Sequence, residues 1–233
     1  MGCTACDSHS CVREVPLFRL INDKDLAVVE GMVDSVHYDK GGFVIREGEA
    51  SHSLFIVKSG LIKLTQSNIE GKQHVVRFLF PGDYFGQYAL LHLQESDVSA
   101  EVITGGVICQ LHREKFLPLL RENAELSFHF VLALSKQLHE AEEQAGALQM
   151  LDVEKRLAKL LLDLHGKGTE LSGTPEIRLP SAKKEVAAMI GTTAETFSRK
   201  LSKFSDMKLI TVHRRRIELT NLNALQQLAE SGN

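Results

Sequence analysis

The sequence predicts an α+β protein with an N-terminal antiparallel β roll, a long helix and a C-terminal winged helix-turn-helix. Three observations predict this order. Short apolar runs separated by glycine turns fill the first half of the chain, a helical segment with few turn residues follows, and a basic segment comes next. A length of 233 residues suits two domains joined by a helix. We assign residues 1–15 to an arm, 16–116 to the β roll, 117–151 to the long helix and 152–233 to the winged domain.

The composition is that of a globular protein, with 43% hydrophobic and 24% charged residues. No apolar run approaches the roughly 18 residues that a membrane helix needs, so we expect no membrane span. The first residues lack the basic and apolar regions of a secretory signal, and we therefore expect a cytoplasmic protein. The net charge is −3, but residues 178–216 hold ten Lys or Arg against three Asp or Glu. That segment provides the local basic face that nucleic-acid binding needs.

The β roll is predicted from short runs that adjoin glycine turns. The run 43–45 follows Gly41 and Gly42, and the run 54–57 comes before Gly60. Further strands fit residues 61–64, 75–80, 99–103 and 107–111. Strands and turns at this spacing are typical of an antiparallel β barrel or roll.

The segment from about Pro118 to Leu164 is predicted to be helical, and its first part, the long helix, has six apolar positions at alternating spacings of three and four. This spacing is that of a coiled-coil seam. The positions are Val131, Leu134, Leu138, Ala141, Ala145 and Leu148. Packing of this stripe on the chain's own β roll is the alternative. We favour a homodimer, because polar residues cover most of the remaining helix surface.

A second helix over 153–164 is predicted after Asp152, followed by a loop at 166–168 and a short strand at 177–179. A new domain begins at this strand.

A helix-turn-helix is predicted over 183–204. Ser181 can cap its first helix, Ala187 is small enough for a close helix contact, and Gly191 supplies the turn. Its apolar core positions are Val186, Ile190, Phe197 and Leu201.

The second helix of this motif carries three polar residues on one face near its N-terminal end. Glu195, Ser198 and Arg199 lie at i, i+3 and i+4. A recognition helix contacts bases there, where arginine can bind guanine, glutamate can accept from an amino group and serine can do either. An ordinary solvated face is the alternative for any one of them. The full register predicts binding to double-stranded DNA.

Residues 209–212 and 217–219 predict two strands joined by a basic tip, which together form a wing. Phosphate contacts, which add affinity without sequence information, are expected from side chains around the reading face. These are Thr192, Thr193, Lys200, Lys203, Arg214 and Arg215.

The four cysteines form a spaced set, with Cys3, Cys6 and Cys11 on the arm and Cys109 in a predicted strand. Such a set can hold a [4Fe-4S] cluster, one cysteine per iron. A zinc site of three cysteines and His9 is equally reasonable on ligand type alone. Cys109 could instead be a core residue, and the first two cysteines a redox pair or part of a tail.

Three segments resemble motifs of the CRP/FNR family of bacterial transcription regulators. They are Gly-Leu-Ile-Lys at 60–63, Pro-Gly-Asp-Tyr-Phe-Gly at 81–86 and Glu-Thr-Phe-Ser-Arg at 195–199. The resemblance covers nearly the whole chain. It implies a cyclic-nucleotide-binding-like sensor roll, a dimerisation helix, a DNA-binding domain and RNA polymerase as a partner. The third motif is similar to the FNR branch, whose members bind TTGAT…ATCAA palindromes.

The resemblance to the FNR branch favours the [4Fe-4S] cluster over zinc, because Cys109 lies in the strand that matches the fourth ligand. It implies a response to oxygen or nitric oxide. The spacing departs from the branch, since four residues rather than five separate Cys6 from Cys11. FNR-like oxygen sensors also carry an aspartate at the position of Ala141, where two carboxylates repel across the interface. Ala141 therefore predicts a dimer with or without the cluster.

Other signals and one other class of protein are alternatives. The CRP branch binds cyclic AMP through a glutamate and an arginine, but Gln87 and Val98 occupy those positions here. Another small effector, or a gas bound to haem through His74 or His92, would use the same architecture. A metal-binding or redox enzyme on a cupin-like roll would need clustered histidines and carboxylates, which the strands lack. We therefore predict a regulator and not an enzyme.

Overall fold

The computed structural model of the chain describes residues 12, 13, 15, 18, 21–71, 73–92, 95–172 and 176–230. Internal contacts divide the chain into two compact units, residues 1–139 and 140–233. Within the described ranges no helix has both the length and the apolar character needed to cross a membrane.

The first unit is an antiparallel β roll with flanking helices. Its elements are α1 (Asp23–Glu30), β1 (Val33–Tyr38), β2 (Phe43–Ile45), β3 (Ser53–Val57), β4 (Leu61–Ser67), β5 (Gln73–Leu79), β6 (Tyr84–Phe85), α2 (Gln87–His92), β7 (Ser99–Thr104), β8 (Gly106–His112) and α3 (Arg113–Glu122). The strands pair in the orders β1-β8-β3-β6 and β2-β7-β4-β5. The predicted β roll is confirmed.

Two glycines of the sequence motifs allow strands to approach closely. Gly60 has φ +94°, and a Cβ atom there would lie 2.6 Å from the carbonyl oxygen of Thr104. Gly86 has φ +88°, and a Cβ atom there would lie 2.6 Å from the carbonyl oxygen of Ser53. Any side chain would therefore combine backbone strain with a collision, so both positions require glycine.

The roll has two apolar clusters. One is formed by residues of both sheets, including Ile45, Leu64 and Val102. The other joins β1, β3 and β8 to the flanking helices and to residues near the N-terminus. It contains Val12, Val15, Phe18, Ile21, Leu26, Val29, Leu54, Ile56, Tyr84, Leu90, Cys109, Leu111, Phe116, Leu126 and Phe130.

The long helix, α4, spans Ala124–Met150 and begins later than predicted. Pro118 lies inside α3, and Asn123 is extended between α3 and α4. The Asn123 side-chain oxygen accepts a hydrogen bond from the backbone N–H of Leu126 at 2.9 Å. An asparagine in this position satisfies an otherwise unpaired N–H of a helix start. The prediction of one helix running on from Pro118 was wrong, because Asn123 ends one helix and caps the next.

The second unit contains the predicted winged helix-turn-helix. Its elements after α4 are α5 (Val153–Ser172), β9 (Glu176–Arg178), α6 (Lys183–Met189), α7 (Ala194–Asp206), β10 (Ile210–His213), β11 (Arg216–Leu219) and α8 (Leu222–Glu230). The strands pair in the order β10-β11-β9. The predicted loop at 166–168 was wrong, because α5 continues through it. Glycine in an exposed helix costs only about 1 kcal/mol relative to alanine, and helix context can outweigh that.

The helix-turn-helix follows the predicted register. Ala187 is fully buried between the helices, and Gly191 makes the turn with φ +63°. The predicted core positions Val186, Ile190, Phe197 and Leu201 are all buried. Ser181 is not the cap of α6. That position belongs to Ala182, whose side chain makes no capping bond, and the Ser181 hydroxyl donates to the Glu185 carboxylate instead.

Candidate DNA-binding face and sensor cysteines

Helix α7 carries Glu195, Ser198 and Arg199 on the side opposite its buried residues. Phe197 and Leu201 face the core of the unit and are at most 2% exposed. Each residue of a helix turns about 100° from the last, which places the three polar residues within about 100° of one another. Glu195 and Arg199 are exposed, and Ser198 is half-buried. The three residues therefore share the side of α7 that faces away from the core, and their contacts to bases stay a prediction.

The start of α7 is fixed by Thr193. Its hydroxyl oxygen accepts from the backbone N–H of Thr196 at 3.2 Å, and its side chain lies 3.2 Å from the Thr196 hydroxyl. Threonine is a favourable residue at this capping position. Thr193 is exposed and Thr192 is half-buried. Both lie at the N-terminus of α7, where the helix dipole favours a phosphate.

Two lysines predicted to contact phosphate are bound within the protein. The Nζ atoms of Lys200 and Lys203 lie 2.5 and 2.6 Å from Oε1 of Glu154, in the first turn of α5. Hydrogen bonds from Lys200 and then Lys203 are the main causes that lower the pKa of the Glu154 carboxyl from its ordinary value. Lys200 and Lys203 thus share one carboxylate oxygen of Glu154, and their contacts to phosphate stay a prediction.

The wing is a tight hairpin whose tip is Arg214-Arg215. His213 pairs with Arg216 across the hairpin, and Arg214 has φ +58°. Arg214 and Arg215 are both exposed, as expected of phosphate contacts. The Arg215 guanidinium nevertheless lies 3.4 Å from the carbonyl oxygen of Leu179, so it is partly engaged with its own domain.

Glu154 is the site residue that sequence reasoning missed. It lies 46 and 49 residues before its two lysine partners. Helical periodicity relates residues three or four apart, so it carries no signal for this pairing.

Cys109 lies in the middle of β8, with β1 and β3 on either side. Its side chain is fully buried, and its Sγ atom lies 3.6 Å from Oγ of Ser35. Val12, which directly follows Cys11 in the chain, belongs to the same apolar cluster as Cys109. Cys3, Cys6 and Cys11 themselves lie outside the described residues.

Three polar side chains of the roll, those of Lys63, Arg77 and Gln87, have partners within the first unit. Lys63 is 11% exposed, and its ammonium lies 2.7 Å from the Glu101 carboxylate on the neighbouring strand. Arg77 donates to the carbonyl oxygen of Tyr84 at 2.7 Å. Gln87 donates through its side-chain amide to Gln137 at 3.3 Å.

The two histidines considered as haem ligands are both exposed. His92 stacks on the ring of Tyr88, with centroids 4.5 Å apart, and its Nδ1 lies 3.2 Å from the Tyr88 carbonyl oxygen. These positions suit surface residues.

Helix α4 exposes a row of apolar side chains. Val131 and Leu138 are 59% and 62% exposed, and Leu148, Ala141 and Ala145 are also exposed. Leu134 differs from the other predicted seam residues, because it packs partly against the core of its own roll. Phe128, one turn before Leu132, adds to the exposed apolar surface.

Comparison with known families agrees with this architecture. A cyclic nucleotide-binding domain matches residues 35–123, and a Crp-like helix-turn-helix domain matches residues 155–228. A sensor-type β roll followed by a reading helix and wing defines a DNA-binding regulator. The chain belongs to the CRP/FNR family of transcription regulators.

Individual relatives cover nearly the whole chain. The "Probable transcriptional regulator flp" of Lacticaseibacillus casei is 29% identical over 222 residues, which is 95% of this chain and 99% of that protein. The "Cyclic AMP receptor protein" of Thermus thermophilus is 26% identical over 214 residues, 92% of this chain and 96% of that protein. The structure of FixK2 from Bradyrhizobium japonicum has the same fold, with a TM-score of 0.76 and 21% identity over 86% of this chain and 99% of that one. The relatives confirm the prediction of a regulator and not an enzyme.

Proposed function

We propose that the chain is a homodimeric regulator that binds TTGAT…ATCAA-type palindromes and responds to oxygen or nitric oxide through a [4Fe-4S] cluster. The observation that carries the proposed DNA specificity is the position of Glu195, Ser198 and Arg199 on the side of α7 that faces away from the core. Arginine can bind guanine O6 and N7, glutamate can accept from an amino group, and serine adapts to its neighbour. RNA polymerase as a further partner stays a prediction from the family resemblance.

The proposed cluster ligands are Cys3, Cys6, Cys11 and Cys109. The placement of Val12 in the apolar cluster around Cys109 supports this set, because it brings the chain next to Cys11 into the core that contains the fourth cysteine. The burial of Cys109 in this apolar cluster would limit the access of water to bound iron. A bound cluster supplies iron–thiolate chemistry that oxygen or nitric oxide can attack.

The proposed dimer uses the exposed apolar row of α4. Phe128, Val131, Leu138 and Leu148 are large apolar side chains that lie on the surface of the single chain. A second copy of α4 would remove this surface from water, which stabilises association by roughly 25 cal/mol for each Å² of apolar area buried.

A cyclic nucleotide in the roll is the second candidate signal, favoured by the match to a cyclic nucleotide-binding domain. The internal partners of Lys63 and Arg77 argue against it, since these cations already bind protein groups. Calorimetric titration of the metal-free protein with cyclic AMP separates this signal from the cluster.

Anaerobic purification tests the cluster. We expect a brown protein with about four iron and four sulfide per chain, whose visible absorbance bleaches in air. Cys6→Ser should lower the iron content, and Ser8→Ala on the same arm should not. Stoichiometric zinc without visible absorbance would overturn the cluster. An iron-free protein whose thiols oxidise reversibly in pairs would also overturn it.

A further inference from the structure

The first turn of α5 holds a carboxylate that binds two cations of the recognition helix. Glu154 Oε1 lies 2.5 Å from Lys200 Nζ and 2.6 Å from Lys203 Nζ. The Glu154 side chain is only 17% exposed, while Lys200 and Lys203 are 26% and 52% exposed. The lysine hydrogen bonds hold the pKa of Glu154 below its ordinary value, so the carboxylate is ionised near neutral pH.

The two lysines lie on one flank of the reading face. At 100° per residue, Lys203 is about 80° and Lys200 about 140° around the helix from Glu195. The major groove of DNA is about 12 Å wide, close to the diameter of a helix with its side chains, so the flanks of a helix in the groove face phosphates. If the ammonium group of Lys200 or Lys203 were released from Glu154, it would therefore lie near the phosphates of the DNA backbone.

We propose that Glu154 is a specificity-determining residue, which keeps Lys200 and Lys203 away from DNA phosphates and fixes α7 against α5. The proposal rests on the proposed function, because it requires that α7 enters DNA. Phosphate contacts raise affinity for every sequence alike, whereas base contacts raise it for the palindrome alone. Withholding two lysines thus lowers the affinity for every DNA sequence. The ratio of specific to random binding depends instead on base contacts, which require that Glu154 holds α7 in a fixed position against α5.

The test is the salt dependence of DNA affinity for the full-length protein. Binding to a palindromic duplex and to a random-sequence duplex would be measured by fluorescence anisotropy over a series of salt concentrations. We expect Glu154→Gln to raise the affinity for random DNA severalfold and to steepen its salt slope by about 0.9 for each lysine released. The affinity for the palindrome should rise less than that for random DNA, because α7 is no longer fixed against α5 and its base contacts weaken, so the ratio of specific to random affinity should fall. Glu218→Gln removes an exposed carboxylate of the same unit and gives the baseline effect of one lost negative charge.

Lysine variants separate this role from a purely structural one. In the wild-type background, Lys200→Gln and Lys203→Gln should leave the salt slope unchanged. In the Glu154→Gln background, each should lower the steepened slope by about 0.9. Glu154→Asp retains the charge and should restore the wild-type slope.

Two results would overturn the proposal alone. One is a Glu154→Gln protein that matches Glu218→Gln in random affinity and slope. The other is a wild-type background in which Lys203→Gln already flattens the slope, a result that does not depend on how well Glu154→Gln folds. In both cases the wild type still prefers the palindrome. A wild type that binds neither duplex, with or without its cluster, would overturn the proposed function together with the proposal.

Discussion

Arg156 of α5 donates a hydrogen bond through Nη1 to the carbonyl oxygen of Leu151, at 2.7 Å. The same Nη1 lies 3.0 Å from the carbonyl oxygen of Leu148. The last carbonyl groups of a helix have no partners within that helix, and here a charged donor from the next helix binds that of Leu148, in the last turn of α4, and that of Leu151, which directly follows α4. The end of α4 and the start of α5 are therefore tied together by one side chain.

Replacement of Arg156 by methionine should destabilise this junction. The aliphatic stem is kept, but two carbonyl groups lose their charged donor, so we expect the free energy of unfolding of the second unit to fall by about 1 to 3 kcal/mol. Urea unfolding combined with hydrogen exchange of residues 145–160 would measure the loss and locate it. Lys159→Met, on the exposed side of α5, is the matched control. Equal stability of the two variants would contradict this role for Arg156.

Removal of the Arg199 side chain should reduce sequence preference. We expect Arg199→Ala to weaken binding to a TTGAT-type palindrome by about 1 to 3 kcal/mol, with a smaller effect on random DNA, because a bidentate contact to guanine is lost. Competition binding between the two duplexes measures the ratio. Arg214→Ala at the wing tip should weaken both duplexes alike. An unchanged ratio for Arg199→Ala would show that the exposed face of α7 does not read bases.

Assembly should persist without the cluster. Ala141 is uncharged and exposed on α4, so we expect the wild type to sediment as a dimer in both cluster-bound and cluster-free forms. Ala141→Asp would bring two like charges together, and at an effective dielectric of about 20 their repulsion reaches several kcal/mol. The cluster-free variant should therefore dissociate in sedimentation velocity, while His139→Asp, off the seam, should not. A monomeric cluster-free wild type would contradict the role assigned to Ala141.

Acid should weaken the attachment of α7 to α5. The pKa of Glu154 is lowered in the folded protein, so its carboxylate contributes stability above the ordinary pKa of glutamate. That contribution is lost as the pH falls through the lowered folded-state pKa. Urea unfolding at about pH 7 and about pH 4 should show a smaller loss for Glu154→Gln than for wild type. An identical pH dependence would mean that the two lysines do not stabilise the ionised carboxylate.

Local features of the sequence were enough to predict the β roll and the helix-turn-helix. Gly60 and Gly86 occupy positions that admit no side chain. In the helix-turn-helix, Ala187 is fully buried and Gly191 has a positive φ, which favours glycine. Where the backbone conformation admits only glycine, the glycine in the sequence indicates the turn without a structure.

Other features depended on competition between similar local signals or on distant pairing. Ser181 is a good capping residue, but its hydroxyl donates to Glu185, and Asn123 caps a helix where an unbroken helix was predicted. The association of Glu154 with its lysines arises only from the packing of α5 on α7, since nearly 50 residues separate the partners. Helical periodicity relates residues within one element, so it could not show that Lys200 and Lys203 bind Glu154.

The burial of residues just after Cys11 decides how the role of the N-terminal cysteines can be studied by deletion. Val12, Val15 and Phe18 are at most 1% exposed, and they fill the same cluster as the sheet and the helices around it. A truncation that removes the first 21 residues would remove part of the core together with Cys3, Cys6 and Cys11. It would leave an apolar cavity and an aggregation-prone surface. Loss of DNA binding in such a truncated protein would report damage to the fold. Single Cys→Ser replacements leave these apolar residues in place, and they therefore test the role of the cysteines without disturbing the core.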